Sequence, residues 1–265
     1  MILVTGAGGL IGRHVARALG PMARARGHAA LDEPGLLDGI EVVIHAGRDS
    51  RLGTPDYRLE GDVELALARR AAECGLRLLT LSSRKVYAPS ERPLDEASAL
   101  GPTDRYGQQK LAMEEALEAL LGPRLTRLRI ANVFGFEPGR PSFMGRMLDG
   151  LARDATITFD MSPFTTRDFL DAATLGRMVA AIAHRPPGGI LNVGSGVALP
   201  TGRLALALIE GFGRGRLVVL DAAERDVFVL DCRRLMNLVG PGTDAAALLD
   251  EASRLGLRLS ESARP

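Results

Sequence analysis

The sequence predicts an α/β fold in which a doubly wound parallel sheet is followed by a smaller C-terminal lobe. Two observations support this prediction. Through the first half of the 265 residues, short aliphatic runs alternate with longer amphipathic stretches, as is typical of repeated strand–helix crossovers. A glycine-rich segment, TGAGGLIG at 5–12, joins the first of these runs to the first helical stretch.

The predicted elements follow this alternation along the chain. Strands are expected at 2–4, 42–44, 78–81 and 128–130. Helices are expected at 10–19, 63–72 and 106–121 and, in a second half with more proline and glycine connections, at 143–152, 175–183, 204–212 and 245–255. We therefore expect a first domain at 1–135 and a smaller lobe at 136–265, with 165–185 returning to the first domain.

Composition argues against several classes of protein. The 33 basic and 32 acidic residues nearly cancel, and no basic stripe interleaved with aromatic residues suggests a nucleic-acid partner. No apolar run approaches the roughly 18 residues of a membrane span, so we expect neither membrane insertion nor a signal peptide. Two cysteines and four scattered histidines form no disulfide or metal pattern. We expect a cytoplasmic protein without a metal.

The glycine-rich segment has the pattern of a pyrophosphate-binding turn. A strand ends at Thr5, Gly6 permits a tight turn, Gly9 lets the backbone approach a phosphate, and Gly12 allows close packing of helix against strand. Free amide groups and the helix dipole would then face the phosphates. The alternative is an ordinary strand-to-helix turn. We predict that a dinucleotide binds here, with the remaining contacts from Gly8, Leu10 and Ile11.

The choice between NAD and NADP depends on the residues that follow. About 20 residues beyond Gly12, Asp32 stands where a carboxylate that binds the adenosine ribose is expected, which favours NAD. Asp32 is equally well read as a solvated acid. Arg13, Arg24 and Arg26 could instead hold a 2′-phosphate, so the sequence leaves NADP open.

A second motif, YGQQK at 106–110, places a phenol and an ammonium four residues apart on one helix face. A nearby cation favours the phenolate form, so Tyr106 could exchange a proton with a substrate hydroxyl or carbonyl while Lys110 assists. Lys110 could also reach the nicotinamide ribose. The alternative is a solvated pair on a helix surface.

With these motifs in order, the chain resembles the extended short-chain dehydrogenase/reductase family, in its NAD-dependent sugar epimerase, dehydratase and reductase branch. The resemblance implies a Rossmann fold and spans most of the chain. It is carried by the segments TGAGGLIG (5–12), VVIHA (42–46), LSSRKVY (81–87), YGQQK (106–110), NVFG (132–135), RDFLD (167–171) and LNVGSG (191–196).

The resemblance also implies roles for single residues. Ser83 would polarise the reacting oxygen beside Tyr106, with Ser82 as the near alternative, and Ala46 would border the cofactor. Asn132 and Arg167 would line the substrate side, where Arg167 could pair with a nucleotide diphosphate. The alternatives are a strand-end turn for Asn132 and a surface ion pair for Arg167.

Departures from the family pattern narrow the expected reaction. Arg84 and Lys85 replace the acidic pair that sugar-nucleotide 4,6-dehydratases carry after the hydroxyl residue, so dehydration would lack its acid and base. These cations could attract an anionic substrate or form a solvated turn. Asp62 stands where the family usually has asparagine. Only about 30 residues separate Gly12 from the strand at 42–44, so one strand–helix unit is expected to be missing or abbreviated.

The sequence therefore predicts an NAD(P)-dependent oxidoreductase, with NAD favoured, that transfers a hydride on a sugar-nucleotide-like hydroxyl or carbonyl. An epimerase or a ketoreductase is expected rather than a dehydratase. The alternative is a non-catalytic module that binds a dinucleotide or senses redox state. The family resemblance further suggests a homodimer packed through the helices at 63–72 and 106–121.

Overall fold

The computed structural model describes residues 1–31, 33–140 and 142–262. The strands in these residues are β1 (Ile2–Thr5), β2 (Ala23–Arg26), β3 (Val42–His45), β4 (Arg77–Ser83), β5 (Leu125–Ile130), β6 (Asn132–Phe134), β7 (Thr156–Phe159), β8 (Thr166–Arg167), β9 (Phe169–Asp171), β10 (Gly189–Val193), β11 (Leu199–Pro200) and β12 (Arg216–Val219). The helices are α1 (Leu10–Leu19), α2 (Val63–Glu73), α3 (Arg105–Leu121), α4 (Phe143–Asp154), α5 (Ala172–His184), α6 (Thr201–Phe212), α7 (Arg233–Val239) and α8 (Ala245–Ser262).

Six strands form the central sheet in the order β10-β5-β4-β3-β1-β2, and every neighbouring pair is parallel. Thr5 pairs with Arg26 on one side and with His45 on the other, so β1, β2 and β3 end at the same edge. Ligands of doubly wound sheets bind at the carboxyl ends of the strands. The predicted fold class is therefore confirmed, and this edge is where the site is expected.

Helices cover both faces of the sheet because the strand side chains alternate. Leu3 packs with residues of α2 and α3, whereas Ile2 and Val4 pack with residues of α1 and α5. All three side chains are buried. Burial on both faces explains why the predicted strands are continuous aliphatic runs rather than alternating ones.

A separate hydrophobic cluster joins α4, α6 and α8 with β7 and β9. Two glycines let α6 and α8 cross closely: a Cβ at Gly211 would lie 1.8 Å from the Ser253 oxygen, and one at Gly256 would lie 2.1 Å from the Leu208 oxygen. Two other elements of the second half join the main sheet instead, since β10 pairs with β5 and α5 packs on α1.

The predicted helices and strands are confirmed, although several begin earlier or end later than expected. Two strands of the central sheet, the strands of the two-stranded sheets and helix α7 were not predicted. Strand β2 reads Ala-Arg-Ala-Arg and lies at the sheet edge, where no aliphatic run is needed. Strand β10 overlaps the segment LNVGSG (191–196), which the sequence marks only by its resemblance to the family.

The shortened connection is confirmed in the described residues between β2 and β3. They contain one 3-10 turn at 28–30 and further turns, without a helix or strand. Leu31, Leu36 and Ile40 from this connection are buried against the sheet. A Rossmann sheet usually has a third strand beyond β2, and here β2 is the edge.

Across the described ranges, no helix combines the length and the apolar character that crossing a membrane requires. Both cysteines are free thiols; Cys74 is exposed and Cys232 is buried.

Candidate active site

The glycine-rich turn folds tightly onto itself after β1. Gly6 adopts a positive φ of 72°, and a Cβ there would lie 2.4 Å from the Gly47 nitrogen. A Cβ at Gly12 would lie 2.2 Å from the Gly6 oxygen, which also accepts the N–H of Gly9 (3.0 Å). Side chains are excluded at both positions, as expected for a turn that must bring backbone close to a ligand.

The start of α1 leaves its first amide groups without a side-chain partner. Gly9 is the N-cap residue and has no side chain that could accept these N–H groups. The first turn of α1 carries no acidic residue either. The N–H groups of Leu10, Ile11 and Gly12 are therefore available to an anion, with the positive end of the helix dipole behind them. Gly8 is exposed, with open space around it. These features fit a pyrophosphate group.

Thr5 and Ala46 place two loops side by side at this edge. The Thr5 side chain is fully buried and bonds to His45 Nδ1 (2.8 Å), so any contact of Thr5 with a cofactor would come from its backbone. The Ala46 N–H donates to the Thr5 oxygen (2.9 Å), and the Ala46 backbone lies against Gly6. The loop that follows β3 thus borders the glycine turn, and contact of Ala46 with the cofactor stays a prediction.

The three arginines considered for a 2′-phosphate have different surroundings, whereas Asp32 lies outside the described residues. Arg24 donates to backbone oxygens in the shortened connection, and Arg13 donates to the Phe136 oxygen (3.4 Å). Arg26 is exposed at the carboxyl end of β2, and its backbone oxygen accepts the N–H of Ala7 (3.2 Å) in the glycine turn. Of the three, Arg26 is the one beside the glycine turn, and its Nε lies 3.6 Å from Glu33 Oε2.

Neighbouring serines at the end of β4 differ in their partners. The Ser82 hydroxyl is buried and donates to Glu114, which also pairs with the buried Arg129 (2.7 Å). Ser83 is less buried, and its oxygen accepts the N–H of Lys85 (3.2 Å), which leaves its O–H free to donate. The geometry therefore favours Ser83 over Ser82 as the group that meets a substrate.

Helix α3 begins directly against the end of β4. A Cβ at Gly107 would lie 2.3 Å from the Lys85 oxygen, so the residue after Tyr106 must be small for this contact. Lys110 Nζ donates to the Leu81 oxygen (3.0 Å), two residues before Ser83. These contacts place the start of α3, which carries Tyr106 and Lys110, against the carboxyl end of β4, which carries Ser83.

Lys110 is buried, with 6% of its surface exposed, and faces a carboxylate. Its Nζ lies 3.7 Å from Glu64 Oε2. Burial alone lowers the pKa of Lys110, but Glu64, Tyr106 and Asp62 act in the opposite direction, and the pKa is raised overall. Lys110 is therefore a cation at neutral pH and is not a solvated surface lysine.

Gln109, also in the YGQQK motif, holds the loop that follows β3. Its Oε1 accepts the Gly53 N–H (2.6 Å), and its Nε2 donates to the Thr54 oxygen (3.0 Å). Tyr106 lies under this loop, since a Cβ at Gly53 would be 3.7 Å from the Tyr106 Cβ. The sequence predicts no role for Gln109, although it lies between Tyr106 and Lys110 in the motif.

A cavity of about 650 Å³ follows the end of β4, and its charged lining residues are Arg84, Lys85, Glu91, Asp104 and Asp226. Arg84 is 9% exposed, pairs with Asp226 and lies 3.7 Å above the Phe228 ring. Lys85 pairs with Asp104. Arg84 is thus buried and does not form a solvated turn, and both cations already have carboxylate partners.

Arg167 reaches the same cluster from β8. It is 8% exposed and donates to the backbone oxygens of Asp226 (3.2 Å) and Arg225 (2.9 Å). Burial, together with Arg84 and Arg146, lowers the pKa of Arg167, although Asp226 acts in the opposite direction. Two buried guanidinium groups therefore share one carboxylate, and the excess positive charge favours an anionic ligand.

Asn132 and Asp168 connect β6 to the segment that carries Arg167. The Asn132 N–H donates to the Asp168 oxygen (3.1 Å). Asn132 is the first residue of β6 and pairs with β9, so its backbone is part of a strand. The fully buried Asp168 carboxylate accepts N–H groups of Ser195, Gly196 and Leu230. Asp168 thus holds three segments together, a role that the sequence does not predict.

Comparison with known proteins places the chain in a family. A dTDP-6-deoxy-L-talose 4-dehydrogenase (NAD(P)(+)) from Kitasatospora kifunensis is 34% identical over 149 residues, or 52% of this chain and 46% of the relative. The chain thus matches less than half the length of that relative. An ADP-L-glycero-D-manno-heptose-6-epimerase from Alkalilimnicola ehrlichii is 24% identical, with 84% of this chain and 85% of the relative covered.

A solved structure shows the same fold. MoeE5 in complex with UDP-glucuronic acid and NAD superimposes with a TM-score of 0.81 at 20% identity, covering 99% of each chain. The family model described as "NAD dependent epimerase/dehydratase family" matches residues 24–194, well over half of the chain. The NAD dependence in this family description agrees with the predicted nicotinamide dinucleotide cofactor. The chain belongs to the NAD dependent epimerase/dehydratase family.

Proposed function

We propose that the chain is an NAD(P)-dependent oxidoreductase that acts on a nucleotide sugar, as an epimerase or a ketoreductase. The observation that carries the proposal is the docking of α3 on the end of β4, where Gly107 lies against the Lys85 oxygen and Lys110 donates to the Leu81 oxygen. This docking supports a shared catalytic role for Ser83, Tyr106 and Lys110. NAD is favoured as cofactor by the family description, and the relatives' names, which include dTDP-, ADP- and UDP-sugars, support the substrate class.

The glycine turn supports the cofactor part of the proposal. The Gly6 and Gly12 positions have no room for a side chain, and the N-terminus of α1 is uncapped. Backbone amides of Leu10, Ile11 and Gly12 would hold the pyrophosphate, and Lys110 would contact the nicotinamide ribose. When bound, the nicotinamide accepts or returns a hydride.

The protein's own residues would then manage the proton and the reacting oxygen. The Tyr106 phenolate takes the proton of a substrate hydroxyl, or its phenol returns a proton to the carbonyl oxygen, while the Lys110 ammonium stabilises the anionic form. The Ser83 O–H donates to the same substrate oxygen. The loop held by Gln109 packs on Tyr106 at Gly53 and would help to fix the position of the phenol.

The cluster beside Ser83 would recognise the rest of the substrate. We propose that Arg167 binds the diphosphate, with Arg84 adding positive charge and Asn132 lining the substrate side. Dehydration is disfavoured because the residues that follow Ser83 are Arg84 and Lys85. The carboxylates nearby, Asp104 and Asp226, are paired with these cations and are poorly suited to act as bases.

The domain division and the assembly belong to the same proposal. We propose that residues 1–135, with the returning segment 165–185 and strand β10 of the main sheet, form the dinucleotide-binding domain, and that the lobe built on α4, α6 and α8 contributes to substrate binding. Its separate hydrophobic cluster supports this division. A homodimer through α2 and α3 is the proposed assembly.

The experiment that tests this function incubates the protein with NAD or NADP and a panel of UDP-, ADP- and dTDP-sugars. Sugar configuration is followed by NMR and NAD(P)H by absorbance. An epimerase converts configuration without net NAD(P)H change, whereas a ketoreductase consumes NAD(P)H in proportion to a keto-sugar. Cofactor binding without turnover of any sugar would contradict the proposal and favour the non-catalytic dinucleotide-binding module.

The diphosphate assignment has a separate test. Isothermal titration with UDP, ADP and dTDP should show that Arg167→Met weakens binding about 10-fold or more, as expected for loss of a charge-assisted contact. Arg203→Met, at an exposed arginine of α6, is the matched control. Equal affinity in wild type and Arg167→Met would contradict the assignment.

A further inference from the structure

A buried carboxylate faces the buried ammonium of Lys110. Glu64 lies in the first turn of α2 with 4% of its surface exposed, and its Oε2 is 3.7 Å from Lys110 Nζ. Neither group has bulk water as an alternative partner. An ion pair in such surroundings is maintained only when its geometry is fixed by other contacts.

Those contacts are present on the Glu64 side. The Thr80 hydroxyl donates to Glu64 Oε1, and the Glu64 N–H donates to Asp62 Oδ1 (2.8 Å). Asp62 is in turn the N-cap of α2, and its Oδ2 accepts the Tyr57 hydroxyl (2.8 Å). The helix start and the adjacent strand therefore both hold the Glu64 carboxylate toward Lys110. Asp62, where the family usually has asparagine, is a helix cap here.

On the Lys110 side, one ammonium hydrogen goes to the Leu81 oxygen (3.0 Å) and another points toward Glu64, so a third is available to the active site. The ionisable groups around Lys110 are Glu64 and Asp62 from α2 and Tyr106 and Glu114 from α3; β4 contributes the Leu81 carbonyl and the Thr80 hydroxyl. Glu114 is paired with Arg129, and Asp62 is engaged as a cap. Glu64 is therefore the anion that compensates Lys110.

We infer that Glu64 is a positioning residue of the active site, which holds the Lys110 ammonium at the end of β4 beside Ser83 and Tyr106. The inference rests on the proposed function. Removal of the Glu64 charge leaves Lys110 buried without its main counterion, so burial shifts it toward the neutral amine. A neutral Lys110 no longer stabilises a phenolate at Tyr106, and the proton-transfer step slows.

The composition of the chain makes a direct test possible, because Lys85 and Lys110 are its only lysines. Protein labelled with ¹³C at lysine Cε gives one NMR signal for each, and Lys85→Arg assigns them. In the wild type, the Lys110 signal should titrate above the ordinary lysine value of 10.5. In Glu64→Gln its midpoint should move to lower pH, whereas the Lys85 midpoint should stay unchanged. Glu60→Gln, at an exposed carboxylate before α2, should leave both midpoints unchanged.

Kinetics supply the second readout. Glu64→Gln should lower kcat at pH 7 about 10-fold or more, with KM changed less than about 3-fold, because only proton transfer is affected. Glu64→Asp retains the charge and should recover most of kcat. An identical Lys110 midpoint in wild type and Glu64→Gln would overturn the inference. If Glu64→Gln does not fold, a wild-type Lys110 midpoint below 10.5 overturns it instead.

The titration separates this inference from the proposed function, since the NMR measurement needs neither substrate nor cofactor. A missing shift in Glu64→Gln overturns the positioning role and leaves the oxidoreductase assignment intact. Unchanged turnover in Tyr106→Phe overturns the oxidoreductase assignment, and the positioning role with it.

Discussion

Ser82 and Ser83 are adjacent on β4, yet their hydroxyl groups serve different parts of the molecule. Ser82 donates to the buried Glu114 carboxylate, whereas Ser83 accepts the N–H of Lys85 and keeps its O–H free. Successive strand residues point to opposite faces, so only one serine of the pair can meet a substrate beside Tyr106.

Alanine substitutions of the two serines should therefore affect different properties, kcat for Ser83 and stability for Ser82. Ser83→Ala is expected to lower kcat about 10- to 100-fold with little change in the free energy of unfolding, because one donor to the reacting oxygen is lost. Ser82→Ala should cost about 1–3 kcal/mol of stability, because Glu114 loses a buried donor, and should affect kcat less. Steady-state kinetics and urea denaturation measure both. The reverse pattern would show that Ser82 is the active-site residue.

Cofactor preference is expected to depend on Arg26, the exposed arginine at the end of β2 beside the glycine turn. Arg26→Ala should weaken NADP binding about 10-fold and change NAD binding less than about 3-fold, because only NADP carries the 2′-phosphate that a guanidinium recognises. Fluorescence titration gives the ratio of the wild-type to the variant affinity for each cofactor. Arg17→Ala, on the exposed face of α1, is the control. Equal losses for NAD and NADP would rule out a contact with the 2′-phosphate.

Asp168 should give the protein a distinct pH dependence of stability. Burial raises the pKa of Asp168 to about 6, although hydrogen bonds from Ser195, Leu230 and Gly196 act in the opposite direction. Because the folded pKa lies above the ordinary 3.8, the contribution of this carboxyl to the free energy of unfolding is fully present below pH 3.8 and is lost as pH rises through about 6.

The stability advantage of wild type over Asp168→Asn should accordingly shrink between pH 3.8 and about pH 6. Urea denaturation at several pH values measures it. Asp56→Asn, at an exposed carboxylate, provides the comparison for surface effects. An advantage that grows with pH over this window would mean that Asp168 is ionised throughout, with its donors outweighing burial.

Local patterns account for what the sequence could predict. The glycine turn and the YGQQK helix are each contained in a few consecutive residues, and both have conformations that the residue types require: Gly6 has a positive φ, and Gly107 meets the Lys85 oxygen. The parallel sheet followed from the alternation of aliphatic runs and helices. Strand β2 could not be predicted, because an exposed edge strand of alternating alanine and arginine has no run of aliphatic residues.

Contacts between distant residues could not be predicted in the same way. Asp226 lies 142 positions from Arg84, and only the fold brings the two together. Burial of Glu64 has no local signature either, because a glutamate in the first turn of a helix is ordinary at a surface. Glu64 differs from a surface glutamate in its burial and in its partners, and both depend on the packing of α2 and α3 against β4.

The central claim is that Tyr106 moves the proton in an NAD(P)-dependent reaction on a nucleotide sugar, and Tyr106→Phe tests it most directly. The phenyl ring retains the packing under the loop at Gly53 and loses only the hydroxyl. Turnover of whichever nucleotide sugar the wild type accepts, followed by NMR, should fall about 100-fold or more, whereas cofactor affinity should change little. Turnover by Tyr106→Phe at the wild-type rate would contradict the account.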